Sequence, residues 1–151
     1  MDVQIVTLQP MRVASVLAYD AEPEMKAWGK LLDWARAHHA MDKPHRVFGF
    51  NNPSPSPGSP NYGYEVWLTV GQDVQSDDRV TVKEFAGGMY AVTRCTGIPN
   101  IFNRWQGLLK WIETSPYKPA HHQWLEEHLA YGPDVPLDAF VLDLYLPIDK
   151  G

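Results

Sequence analysis

Carboxylates and large aromatic rings recur together along this chain, and that pairing sets the chemistry to be weighed first. In Tyr64-Glu65-Val66-Trp67-Leu68-Thr69-Val70, strand alternation places Glu65, Trp67 and Thr69 on one face and Tyr64, Val66, Leu68 and Val70 on the other. Asp143-Leu144-Tyr145-Leu146-Pro147-Ile148 repeats the arrangement, with Asp143 and Tyr145 sharing a face. In Trp124-Leu125-Glu126-Glu127-His128-Leu129, Glu126 and His128 fall on one side and Leu125, Glu127 and Leu129 on the other. The six Trp, seven Tyr and five Phe include several at positions where a plain core would not need them. Aromatic walls around an acid suit a flat, apolar, often cationic small molecule, because rings supply stacking and cation–π attraction and the acid a counter-charge. The plain alternative is that Trp28, Trp34, Trp105 and Trp111 are core and Glu126 a solvated strand residue.

Other chemistries find less support. The chain has no Gly-x-Ser-x-Gly, phosphate loop, His-Glu-x-x-His or Cys-x-x-Cys. His38-His39 and His121-His122 invite a metal, but adjacent side chains point apart on helix and strand alike, so neither doublet chelates through both rings. Cys95 has no neighbouring base in sequence and reads as an inert thiol. No cofactor and no metal are expected.

The elements that must position these residues come from an internal repeat. Trp28-x-x-Leu31-Leu32-x-Trp34 recurs 77 residues later as Trp105-x-x-Leu108-Leu109-x-Trp111, and Glu65 to Val70 recurs at 78 as Asp143 to Ile148. A duplicated unit is expected, with repeats 3–70 and 80–148 forming one domain over 1–151. Val3 to Leu8 and Arg12 to Ala18 read as a hairpin about Gln9-Pro10, echoed by Val80 to Phe85 and Met89 to Arg94 about Gly87-Gly88. Pro23 and Pro99 suit helix starts. Met25, Trp28, Leu32 and Ala35, then Ile101, Trp105, Leu108, Leu109 and Ile112, fall at helical spacing. Strands 46–51 and 64–70 close one unit, 122–129 and 140–148 the other. The expected fold class is α+β: two ββαββ units, with two antiparallel sheets and two helices, related by a pseudo-twofold axis with a central ligand groove. The proline-rich Asn51 to Pro60 reads as a rigid crossover.

At 151 residues, with a net charge of −5 and a pI near 5.6, the chain lacks the basic footprint of a nucleic-acid binder. One cysteine excludes an intrachain disulfide and fits a cytoplasmic setting. No apolar run approaches the ~18 residues of a membrane span. A DNA-binding protein acting alone, a disulfide scaffold and a helical membrane protein are thereby excluded as readings.

Gly49-Phe50-Asn51-Asn52-Pro53, Tyr62 to Val70, Val82 to Val92, Leu125 to Leu129 and Asp143 to Ile148 together resemble the GyrI-like effector-binding domain, the ligand sensor of many AraC-type and MerR-type regulators, which also occurs alone. The resemblance spans the chain and implies the duplicated ββαββ fold. It also implies a groove for hydrophobic, often cationic compounds with a strand glutamate at its floor. Leu125-Glu126 matches the leucine-glutamate pair of that family, and the last-strand tyrosine falls on Tyr145. Where members carry an aromatic two residues on, this chain has His128. With Trp105 and Trp67 from facing and symmetry, the candidate ligand-binding residues are Glu126, His128, Trp105, Tyr145, Trp67, Tyr90 and Glu65.

The resemblance further implies a small-molecule hydrolase as the alternative, with Glu126 as general base toward strained electrophiles, and more remotely a gyrase-inhibitor role. The two units absorb residues 3–148, so no helix-turn-helix is expected and the partners would be a small molecule and a separate regulator or gyrase, not nucleic acid or membrane.

Overall fold

A computed structural model describes residues 1–151, which divide into two compact units: one continuous, Met11–Phe85, and one split, Met1–Pro10 with Ala86–Gly151. The strands are β1 (Gln4–Leu8), β2 (Met11–Asp20), β3 (Val47–Asn51), β4 (Tyr62–Thr69), β5 (Thr81–Phe85), β6 (Gly88–Thr96), β7 (Tyr117–Pro119), β8 (Leu125–Ala130) and β9 (Val141–Lys150). The helices are α1 (Pro23–Ala37) and α2 (Ile101–Glu113), with 3-10 turns at Ile98–Asn100 and Leu137–Ala139. The α+β class holds, each unit carrying an antiparallel sheet and one helix. No helix is long and apolar enough to cross a membrane.

In the continuous unit the sheet runs β3-β4-β2-β5. Helix α1 lies against β2 and β4 and buries Pro23, Ala27, Leu31, Trp34 and Ala35. This corrects the expected stripe: Met25 is 78% exposed and Trp28 only half-buried, because the face is set by which residues meet the small Ala14, Val16 and Ala18 of β2. The Tyr62 hydroxyl donates to Glu24 Oε2 of α1 at 2.7 Å, tying the start of β4 to the first helical turn. Gly63 is required where β4 passes the proline-rich loop, since a Cβ there would run into the Asn52 carbonyl.

In the split unit the sheet runs β1-β6-β9-β8, with β7 also on β9. Ala91, Cys95, Leu142, Leu144, Leu146 and Ile148 point to one side and pack with Leu108 and Ile112 of α2. Full burial of such a side chain contributes roughly 1.5–3 kcal/mol. The expected helical spacing of α2 holds, with Ile101, Trp105 and Leu109 at the margin of this core. The short β7 was not expected from sequence, and β8 starts later than the expected 122.

Neither expected hairpin forms. β1 pairs with β6, from Gln4↔Val92 to Leu8↔Gly88, and β2 pairs with β5, from Met11↔Phe85 to Ser15↔Thr81. With Pro10 locked near −65°, a two-residue hairpin about Gln9-Pro10 would need a positive φ at Gln9, which Gln9 does not adopt. The chain therefore leaves one unit for the other at residue 10, and returns at Ala86-Gly87, where Gly87 has φ +82°.

Candidate functional site

Alternation gives each sheet a helix-covered face and a helix-free face, and the helix-free faces carry buried polar chemistry. In the continuous unit the β2–β4 and β3–β4 registers set Ser15 opposite Trp67, Phe50 opposite Glu65 and Phe48 opposite Trp67, so all five share one face. Glu65 is 2% exposed. Its Oε2 accepts hydrogen bonds from Ser15 Oγ, Trp67 Nε1 and Lys83 Nζ, each at 2.7 Å, and its Oε1 accepts one from Asn52 Nδ2 at 3.0 Å. Burial pushes the carboxyl upward, but these bonds, led by Lys83, outweigh it and hold the acid below its usual range. The Trp67 ring meets Phe50 edge-on at 5.0 Å and Phe85 at 5.2 Å. Glu65 and Trp67 are thus brought together as the alternation suggested, whereas Ser15, Asn52, Lys83, Phe50 and Phe85 were missed. They lie on other strands or in a loop, and only sheet order delivers them.

The split unit sorts the remaining candidates onto two faces. Leu125 stands opposite Tyr145 and Glu127 opposite Asp143, so Glu127 shares the helix-free face with Tyr145. The Tyr145 hydroxyl donates to Glu127 Oε1 at 2.6 Å, and Tyr90 crosses Tyr145 edge-on at 5.4 Å. The Tyr90 hydroxyl donates to the Gln123 carbonyl at 2.5 Å, and burial raises its pKa above the ordinary phenol value. Glu126, by contrast, stands opposite Leu144, a core residue beneath α2. There Trp105 Nε1 donates to Glu126 Oε2 at 3.2 Å, and Trp105 lies 5.1 Å from Trp124. His128 occupies the same side as Glu126 but is buried, edge-on to Tyr131 at 6.0 Å, and burial lowers its pKa to about 4. Trp105, Glu126 and His128 are therefore on the opposite face of this sheet from Tyr90, Tyr145 and Glu127. Glu127 was passed over because alternation cannot say which side of β8 meets Tyr145.

The remaining reactive groups are quiet. Burial raises the Cys95 thiol above its ordinary value, which disfavours the nucleophilic thiolate. His38 stacks on Trp34 at 4.6 Å. No group of three His, Cys, Asp or Glu side chains could hold a metal ion.

Residues 4–148 match the Cass2 family of integron-associated effector-binding proteins. The chain belongs to that family. Among solved structures, the Cass2-family chain is similar to a hydrolase from Listeria innocua at 14% identity and TM-score 0.72, covering 97% of this chain and 91% of that one. It is similar to the EcmrR C-terminal domain at 12% identity and TM-score 0.72, covering 99% and 98%. It is also similar to SAV2435 bound to tetraphenylphosphonium, at 13% identity and TM-score 0.59, covering 99% and 94%. At such identities the likeness concerns the fold, which is the GyrI-like effector-binding fold that the sequence resembles. No curated protein matches the chain in sequence.

Proposed function

We propose that this effector-binding protein takes hydrophobic, drug-like small molecules on the helix-free face of the continuous unit, where Glu65 and Trp67 stand among Phe50, Phe85 and Ser15. The observation that supports this reading is the buried Glu65 carboxylate set beside three contacting aromatic rings. Rings provide the apolar area that binding requires, while the acid and its donors orient a polar group of the ligand. The tetraphenylphosphonium complex of the similarly folded SAV2435 is in keeping with a ligand of this size and character.

Quenching of tryptophan fluorescence by a hydrophobic aromatic probe tests the location. Trp67→Leu is expected to weaken binding at least tenfold and Trp105→Leu by less than twofold. The reverse order would move the site to Glu126 and Trp105.

A second reading, hydrolysis, is favoured by one feature: Glu126 is only half-buried, so water can reach a carboxylate already oriented by the Trp105 indole. In that reading Glu126 takes the proton of an attacking water, a role typically worth 10²–10⁴-fold in rate. Loss of a cyclopropane, epoxide or ester compound, followed by mass spectrometry over many turnovers and abolished by Glu126→Gln, would establish it. Absence of turnover across such a panel leaves binding as the activity.

A further inference from the structure

We infer that Lys83 is a tethered competitor for Glu65, so that this face takes neutral aromatic compounds in preference to organic cations. The inference rests on the binding reading above and assigns the charge class of its ligand. An ionised carboxylate has about four acceptor positions. Ser15, Trp67, Lys83 and Asn52 supply that many donors to Glu65, three of them on Oε2, so the acid is already well satisfied before a cation arrives. Ser15 and Trp67 are buried and fixed on β2 and β4. Lys83 differs in kind: its side chain is 43% exposed while that of Glu65 is 2% exposed, and it reaches the acid from β5, the edge strand of this sheet, across β2.

The pair is electrically neutral. A bare buried carboxylate would attract an organic cation strongly, but here the cation gains that attraction only by expelling an ammonium that is already in place. Because Lys83 is part of the chain, it competes at an effective concentration of order millimolar or higher and cannot diffuse away. A neutral arene leaves the ion pair intact and packs on the half-buried Phe85 ring beside it. A lysine on a flexible four-carbon stem is also the kind of cation that can swing aside, so cations are disfavoured rather than barred.

The test uses the full chain at pH 8, with tryptophan fluorescence reporting tetraphenylphosphonium as the cation and triphenylphosphine oxide as the neutral probe. Lys83→Met is expected to strengthen tetraphenylphosphonium binding at least tenfold and to change triphenylphosphine oxide binding by less than twofold. The gain should vanish when Glu65→Gln is added. Lys83→Gln, which keeps a donor but removes the charge, should show the same gain and serves where Lys83→Met does not fold. Cation binding unchanged in these variants, with the neutral probe still bound, overturns the role of Lys83 alone. Failure of the wild-type chain and both variants to bind either probe overturns the binding reading together with it.

Discussion

Glu65 Oε2 accepts three hydrogen bonds inside the protein, so the acid is most valuable to the fold while it is ionised. Its folded pKa is lowered, and a lowered carboxylate contributes stability that is present above its unfolded pKa and lost as pH falls through the folded one. Removing one donor exposes this dependence. Ser15→Ala leaves a buried carboxylate with one bond fewer, at an expected cost of about 1–3 kcal/mol at pH 7. Urea titrations should show that cost shrinking toward zero in acid, as the acid is protonated in both proteins. A cost independent of pH would mean that Ser15 acts through packing alone.

Among the elements, β1 and Gly63 carry the sharpest expectations. Thr7 stands opposite Met89 in the β1–β6 ladder, whereas a hairpin about Gln9-Pro10 would place it near Arg12. Thr7→Cys with Met89→Cys should therefore form a disulfide on oxidation, and Thr7→Cys with Arg12→Cys should not, as read by non-reducing mass spectrometry of peptides. Gly58 lies within the proline-rich crossover and Gly63 just after it in β4, and they differ in what surrounds them. Gly58→Ala meets open space and pays only for φ +79°, about 1–2 kcal/mol. Gly63→Ala drives a Cβ into the Asn52 backbone and should lower the melting temperature further. Because Asn52 also donates to Glu65, the same substitution should weaken ligand binding, which Gly58→Ala should not.

For the molecule as a whole, the pH dependence of stability turns on His128 before it turns on the carboxylates. Its pKa is lowered to about 4 by burial, against an ordinary value near 6.5, so between those values the unfolded chain binds a proton that the folded chain refuses. Stability should fall as pH drops through this window, by roughly 3 kcal/mol in total, and the His128 contribution should level off below pH 4. His128→Phe should flatten the melting temperature against pH between 6.5 and 4. An unchanged slope would show that the imidazole charges in place.

Periodicity read from the chain was enough for both helices, for β4 and β9, and for the face shared by Glu65 and Trp67, because helical and strand spacing are properties of neighbouring residues. Motif resemblance was enough for the family. Partners were not legible in the same way. Whether β1 joins β2 or β6, and whether Glu126 or Glu127 meets Tyr145, depends on register between strands far apart in sequence. The stripe on α1 shifted from Met25 to Ala27 and Leu31 for the same reason, since the sheet beneath selects the face. Lys83 reaches Glu65 only because β2 lies between their strands and both side chains rise from one side of the sheet. Local sequence dictates which residues alternate, but only tertiary packing, by burying one face at the cost of desolvating its polar groups, decides which acid finds which donor.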